Sequence, residues 1–202
     1  MEYILEDIKK SFCSKGYEVK IFESKEAAAS YIESLFDGEI IGFGDSLTLE
    51  AMELNKRLSV KNTVIDPAAA PEGHFTETAK HALTTKYFFT SANAVTSDGI
   101  IVNLDGTGNR VAGSLFGHEK VFFVIGSNKI TDTLEDAVCR VRNVAAPLNA
   151  RRLKLKTPCA VKGDRCYDCS SPDRICNGLL IQYRKMNDIE MEIIIIDENL
   201  GL

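Results

Sequence analysis

Residues 159–176, CAVKGDRCYDCSSPDRIC, hold four of the chain's six cysteines. Cys166 and Cys169 form a CxxC pair, and six residues separate each from an outer cysteine, Cys159 or Cys176. Thiols gathered on a tight turn can hold zinc or an iron–sulfur cluster, cycle through a disulfide, or stay reduced. Pro158, Gly163 and Pro172 make the segment irregular, which argues against four small core side chains. A single knuckle departs from the paired knuckles of structural zinc sites, and the CxxCxxC run of bacterial ferredoxins is missing. Cys159, Cys166, Cys169 and Cys176 are thus a candidate metal set, zinc ahead of an iron–sulfur cluster. Disulfide chemistry and reduced structural thiols remain open beside it. Lys162, Arg165 and Arg174 are expected to lower the thiol pKa values.

A second chemistry is written in three glycine-bearing loops. GFGDSLT (42–48) offers Gly42 and Gly44 for tight turning, with Asp45 and Ser46 at the start of a helix whose free amides could meet an anion. Asp and Ser are also ordinary helix caps. NLDGTGNR (103–110) crowds Asn103, Asp105, Gly106, Thr107, Gly108, Asn109 and Arg110 into one connection. The arginine fork there suits a carboxylate or phosphate. GSNKI (126–130) adds Gly126, Asn128 and Lys129, the last able to neutralise an anion. No GK[ST] follows the first loop, and neither GxSxG nor HExxH occurs. His74 and His81 read as a surface face, and Cys139 as packing among valines. No triad or acid–base pair can be assembled, so Glu50, Asp98 and Asp105 are the only carboxylates to nominate for catalysis.

These loops need elements to hold them. The chain alternates strand and helix through most of its length, and several strands are short and uniformly apolar. That pattern predicts an α/β fold with a mainly parallel open sheet and helices on both faces. In such a sheet ligands gather beyond the carboxyl ends of the strands, where all three loops fall. SLTLEAMELNKRL reads as one helix, KYFFTSANAVT as one strand, TDTLEDAVCRVRNVA as one helix, and GLLIQYRK and MEIIIID as closing strands. The organisation expected is a single domain over 1–202, with a helical N-terminal segment over about 1–36 that begins near Tyr3. An irregular, cysteine-containing excursion runs over about 149–177.

The formal net charge of −5 argues against general nucleic-acid binding. The charge is uneven, because residues 140–165 hold eight basic side chains against Asp164 alone. A local positive field suits an anionic small molecule or an acidic partner, although a solvated basic face would look the same. The amphipathic start, with Glu2, Glu6 and Asp7, does not read as a signal peptide, and the longest apolar run, IIII at 193–196, is too short to span a bilayer. A cytoplasmic protein without membrane contact is the reading, and self-association stays open.

Together, IGFGDSLTL, TSANAVTSDGIIVNLDGTGNRVAGSLFG, VIGSNKI, VRNVAAPLNARRL and the TPC…CYDCSSPDRICN segment resemble the LUD-domain family, the C-type lactate-utilisation proteins, in its short cysteine-bearing branch. The resemblance spans about residues 40–178. It implies a fold like the ribose-phosphate isomerase and coenzyme-A transferase superfamily, with Gly44, Asp45, Ser46 and the DGTGNR loop lining the ligand crevice. It also implies an accessory or ligand-binding component of hydroxy-acid oxidation, working beside separate iron–sulfur proteins. The alternatives are a metal-bearing interaction module for such a partner, and a sugar-phosphate isomerase or transferase-like enzyme.

Overall fold

The computed structural model describes residues 4–202, so Tyr3 lies outside the described residues. Strands β1 (Glu18–Phe22), β10 (Glu190–Ile196), β7 (Lys120–Gly126), β4 (Tyr87–Thr90), β2 (Ile40–Phe43) and β3 (Thr63–Ile65) lie side by side in that order. Every neighbouring pair is parallel. Successive side chains of a strand point to opposite faces, so each uniformly apolar run supplies two cores. Phe88, Phe123, Ile193 and Ile195 pack on one face. Phe89, Phe122, Ile194 and Ile196 pack on the other. Each such side chain contributes about 1.5–3 kcal/mol on burial, which makes this sheet the mechanical base of the molecule.

Helices α2 (Lys25–Ser34), α3 (Leu47–Ala51) and α4 (Leu54–Leu58) cover the second face through Ile32, Leu49, Leu54 and Leu58. Helices α1 (Leu5–Ser14) and α5 (Phe75–Ala82) cover the first through Ile8, Phe12 and Ala82. The predicted α/β class with a mainly parallel, helix-flanked sheet is what the structure has.

A second sheet shares the first face. Its strands run β8 (Ile130–Thr131), β5 (Ala94–Thr96), β6 (Ile101–Asp105) and β9 (Gly178–Gln182). The β5–β6 and β6–β9 pairs are antiparallel, and β5–β8 is parallel. Val95 and Ile101 join the main core. Ala94, Ile100 and Val102 face α7 (Leu134–Arg140) through Ala137. The predicted Ser97-Asp98-Gly99 turn closes the β5–β6 hairpin, with Gly99 at φ +87.

Three expectations about elements are corrected. KYFFTSANAVT divides into β4 and β5, because Ser91–Asn93 leaves the main sheet. Asn93 then locks onto β6: its N–H donates to Asn103 Oδ1 (3.0 Å) and its Oδ1 accepts from Leu104 N–H (2.9 Å). SLTLEAMELNKRL divides at Glu53, which sits in the left-handed region (φ +50). The helix of TDTLEDAVCRVRNVA continues through a π-helical stretch, Val141–Ala145, into α8 (Ala146–Arg152), with Pro147 in the first turn of α8. The irregular segment therefore starts after Arg152, not at 149, and contains α9 (Pro158–Lys162). The two predicted closing strands do form, β9 in the small sheet and β10 in the large one.

Candidate functional site

The carboxyl ends of β2, β4, β6 and β7 open into one cavity of about 240 Å³. The first loop brings Asp45 and Ser46 to its wall. The second, leading into α6 (Asn109–Leu115), brings Asp105, Gly106, Thr107, Asn109 and Arg110, and the third brings Lys129. The remaining predicted ligand residues serve the frame instead. Gly42 lies inside β2, where a Cβ would come within 2.6 Å of Thr85 Oγ1, and one at Gly44 would meet the Phe88 ring at 3.0 Å. Gly126 packs against Glu198 O in the same way (2.7 Å), and Gly108 supplies the left-handed turn before α6 (φ +90). Asn128 Oδ1 accepts from Leu200 N–H (3.0 Å), and Asn103 is buried in β6 holding Asn93.

The nominated carboxylates separate sharply. Glu50 is exposed on α3, away from the cavity. Asp98 is exposed in the hairpin turn, paired with Lys15 (3.4 Å) and accepting from Thr96. Asp105 does line the cavity, but it is a bracket: its carboxylate accepts from the N–H groups of Gly106 (2.9 Å), Arg110 (3.2 Å) and Val111 (3.2 Å), and lies 3.4 Å from Arg110 Nη2. It therefore fixes the start of α6 and aims Arg110, whose Nη2 also donates to Leu104 O (2.8 Å). Asp45 has a different environment. It holds a left-handed backbone (φ +51), and burial raises its carboxyl pKa against the opposing pull of Arg110 and Arg152.

Lys129 is the group with the most unusual surroundings. It is 3% exposed, and its Nζ donates to Thr48 Oγ1 (2.8 Å) and Ser91 Oγ (2.9 Å). Among the described residues no carboxylate lies within ion-pair distance of it. Burial, with Arg140 and Arg110 nearby, brings its pKa down to about 7. Arg140 is itself partly buried without a carboxylate, donating to the carbonyls of Asn93 and Asn128. The cavity end of the sheet thus holds two basic groups, Lys129 and Arg140, without a carboxylate partner among the described residues, while Arg110 is paired with Asp105.

Sequence reasoning missed Ser91, Asn93, Asn149, Arg152 and Ile175, all of which line the cavity. Arg152 and Asn149 come from α8, in a stretch read as irregular. Ile175 belongs to the cysteine segment, which proves to be part of the crevice. A Cβ on Gly106 would lie 2.9 Å from Ile175 O, and the next segment is tied down by Asn177, whose N–H donates to Asp105 O (2.9 Å). No local pattern marked that contact, which joins positions about seventy residues apart.

All six cysteines are free. Among the described residues no group of three or more His, Cys, Asp or Glu side chains is arranged to hold a metal ion. Cys176 feels both Cys166 and Cys169, and Arg174 ties the turn by donating to Cys169 O (2.7 Å) and Cys176 O (3.1 Å). The expected thiolate activation fails at Cys176: burial raises its pKa, and Arg174 offsets only part of that. Lys162 and Arg165 lie over the Tyr167 ring instead, at 4.4 and 5.5 Å from its centroid.

Comparison with known proteins agrees with this frame. The LUD domain model matches residues 5–196. The chain belongs to the LUD domain family. A solved DUF162 family protein from Deinococcus radiodurans shares the fold of this LUD domain, with 15% identity, 96% of each chain covered and a TM-score of 0.55. The eIF2B delta subunit from Chaetomium thermophilum is fainter, at 17% identity over 66% of this chain and 55% of that one. Its TM-score is 0.36. No curated protein matches the chain. Among the described residues no helix is long and apolar enough to cross a membrane.

Proposed function

We propose that the crevice binds a small organic acid, and that the protein is a ligand-binding or accessory component of the hydroxy-acid oxidation its family membership suggests. One observation carries this reading. Lys129, Arg110 and Arg152 converge on a cavity whose two carboxylates are a bracketed Asp105 and an Asp45 that burial pushes toward neutrality. A volume of about 240 Å³ has room for roughly eight waters, which suits a metabolite of few carbons. A coenzyme A thioester would fit only with its nucleotide outside. In a thermal-shift screen, lactate and other short hydroxy acids at millimolar concentration should raise Tm, and Arg152→Ala should weaken the effect. No stabilisation by any hydroxy acid, sugar phosphate or thioester would sink the reading.

A sugar-phosphate isomerase or transferase loses two nominated carboxylates, since Glu50 and Asp98 are exposed away from the cavity. The thiols favour a second reading, a metal-bearing module that docks an iron–sulfur partner. Its support is the mutual field of Cys166, Cys169 and Cys176 beside Arg174. As placed, the thiols do not form a ligand set. Metal analysis with an absorption spectrum of anaerobically purified protein decides it: one zinc or a brown iron–sulfide chromophore supports the module, and neither removes it.

A further inference from the structure

We propose that Lys129 is a nucleophile, and that its Nζ condenses with the keto carbon of a small 2-oxo acid held in the crevice to form a protonated imine. The inference rests on the anion-binding reading above and adds a chemical role to it.

A lysine that serves only as a charge is normally kept charged by water or by a carboxylate. Lys129 has no carboxylate partner and little exposure: it is almost fully buried, its two hydrogen-bond partners are hydroxyls, and the charged groups bearing on it are cations. Those neighbours come from every side. Thr48 lies on α3, Ser91 follows β4, Arg110 lies on α6 and Arg140 on α7. The backbone of Gly201 closes the last side, where a Cβ would sit 3.1 Å from Nζ. Desolvation and the neighbouring cations loosen the proton of this amine, so that near neutral pH a substantial fraction is in the unprotonated state that attacks carbonyls.

The rest of the cavity divides the remaining work. Arg110 and Arg152 offer forks to a carboxylate, and a carboxylate next to a carbonyl is what defines a 2-oxo acid. The Nζ lone pair forms the new C–N bond at the keto carbon, and the C=O π pair moves to oxygen. A proton passes from nitrogen to that oxygen through the Ser91 or Thr48 hydroxyl, giving the carbinolamine. The Asp45 carboxyl, held toward its protonated form by burial, gives a second proton as the C–O bond breaks and water leaves. Amine, oxo acid and one proton become iminium and one water, with no redox change.

The test uses the full chain with pyruvate as the probe and cyanoborohydride as the trap. Peptide mapping should find one adduct, the mass of pyruvate less one oxygen, at Lys129. Lactate, which has no carbonyl, should leave no adduct and should suppress the pyruvate adduct by competing for the crevice. Lys129→Met, checked for folding by its melting curve, should reduce trapping to background. Pyruvate that raises Tm but leaves Lys129 unmodified overturns the imine and spares the binding reading. So does labelling scattered over exposed lysines, which the wild-type map shows without any variant. Failure of pyruvate, lactate and phosphate alike to raise Tm brings down both.

Discussion

Strand β7 has a buried or half-buried lysine at each end, and the two live in opposite electrostatic worlds. Lys120 begins the strand with its Nζ 2.7 Å from Glu18, 3.0 Å from Glu192 and 3.7 Å from Glu190. Glu192 is 1% exposed and also accepts from Tyr31 Oη (2.7 Å). Lys129, just past the other end, has hydroxyls and arginines. Burial pushes both pKa values down; at Lys120 the hydrogen bonds to Glu18 and Glu192 overcome it and raise the pKa, whereas at Lys129 nothing does. The amino edge of the sheet spends its charge on holding the fold together. At the carboxyl edge Lys129 and Arg140 have no carboxylate partner, and that edge is where a parallel sheet receives ligands.

That contrast predicts opposite costs for the same substitution. Lys120→Met strands the buried Glu192 carboxylate and should destabilise by about 3–5 kcal/mol in chemical denaturation, while leaving pyruvate trapping at Lys129 intact. Lys129→Met removes a desolvated amine that has no counter-charge for its protonated form, so stability at pH 7 should be unchanged or higher, while trapping disappears. Equal destabilisation by the two would erase the distinction between the edges.

The pH dependence separates them again. The folded pKa of Lys129 is depressed from 10.5 to about 7. Between those values the unfolded chain binds the extra proton, so this residue makes stability rise with pH by up to about 5 kcal/mol. The contribution is complete above the unfolded pKa and is lost as pH falls to about 7. The folded pKa of Lys120 is raised, so its contribution is full below 10.5 and is lost as pH climbs through the folded value. Denaturation midpoints from neutral to alkaline pH should show the rise in wild type and a flattened curve in Lys129→Met. A rise of equal size in the variant would contradict the depressed lysine.

Much of this was legible in the chain because it is local. The six-stranded sheet follows from apolar runs such as VFFVI and MEIIII, and the placing of the three loops follows from the rule for parallel sheets. Asp45, Asp105, Arg110 and Lys129 were found through glycine and polar crowding in those loops. What stayed hidden depended on contacts far apart in sequence. KYFFTSANAVT has strand-forming residues throughout, and only Asn93 bonding to β6 turns it out of the main sheet. Arg152 had no periodic signal because Pro147 masked a helix that a π-turn carries through. The state of Lys129 is likewise invisible in GSNKI, since its hydroxyl partners lie 81 and 38 positions away.

Asp45 tests the crevice side of the comparison at lower energy. Burial raises its pKa, so its contribution to stability is full below the unfolded value and falls as pH rises through the folded one. Asp45→Asn should therefore stabilise the protein near neutral pH by about 1 kcal/mol. It should also slow pyruvate trapping, since the dehydrating proton is lost, while lactate still raises Tm. A variant that traps at the wild-type rate would take Asp45 out of the imine step and leave Lys129 in it.

The smallest effect should come where the crevice meets the cysteine segment. Gly106 lies against the backbone of Ile175, so a methyl there must push two backbones apart instead of a flexible side chain. Gly106→Ala is expected to destabilise by about 1 kcal/mol, with a clearer change in chemistry than in stability. Cys176 follows Ile175 directly, and its half-buried thiol is kept protonated mainly by desolvation. Loosening Ile175 should expose that thiol and speed its alkylation relative to Cys13, which is already exposed and distant from the crevice. If bound lactate slows alkylation of Cys176 in wild type but not in Gly106→Ala, the thiol segment and the ligand loop move as one wall. Unchanged Cys176 reactivity in both would mean that the contact is packing alone, and that the two cysteine-proximal and ligand-proximal chemistries are independent.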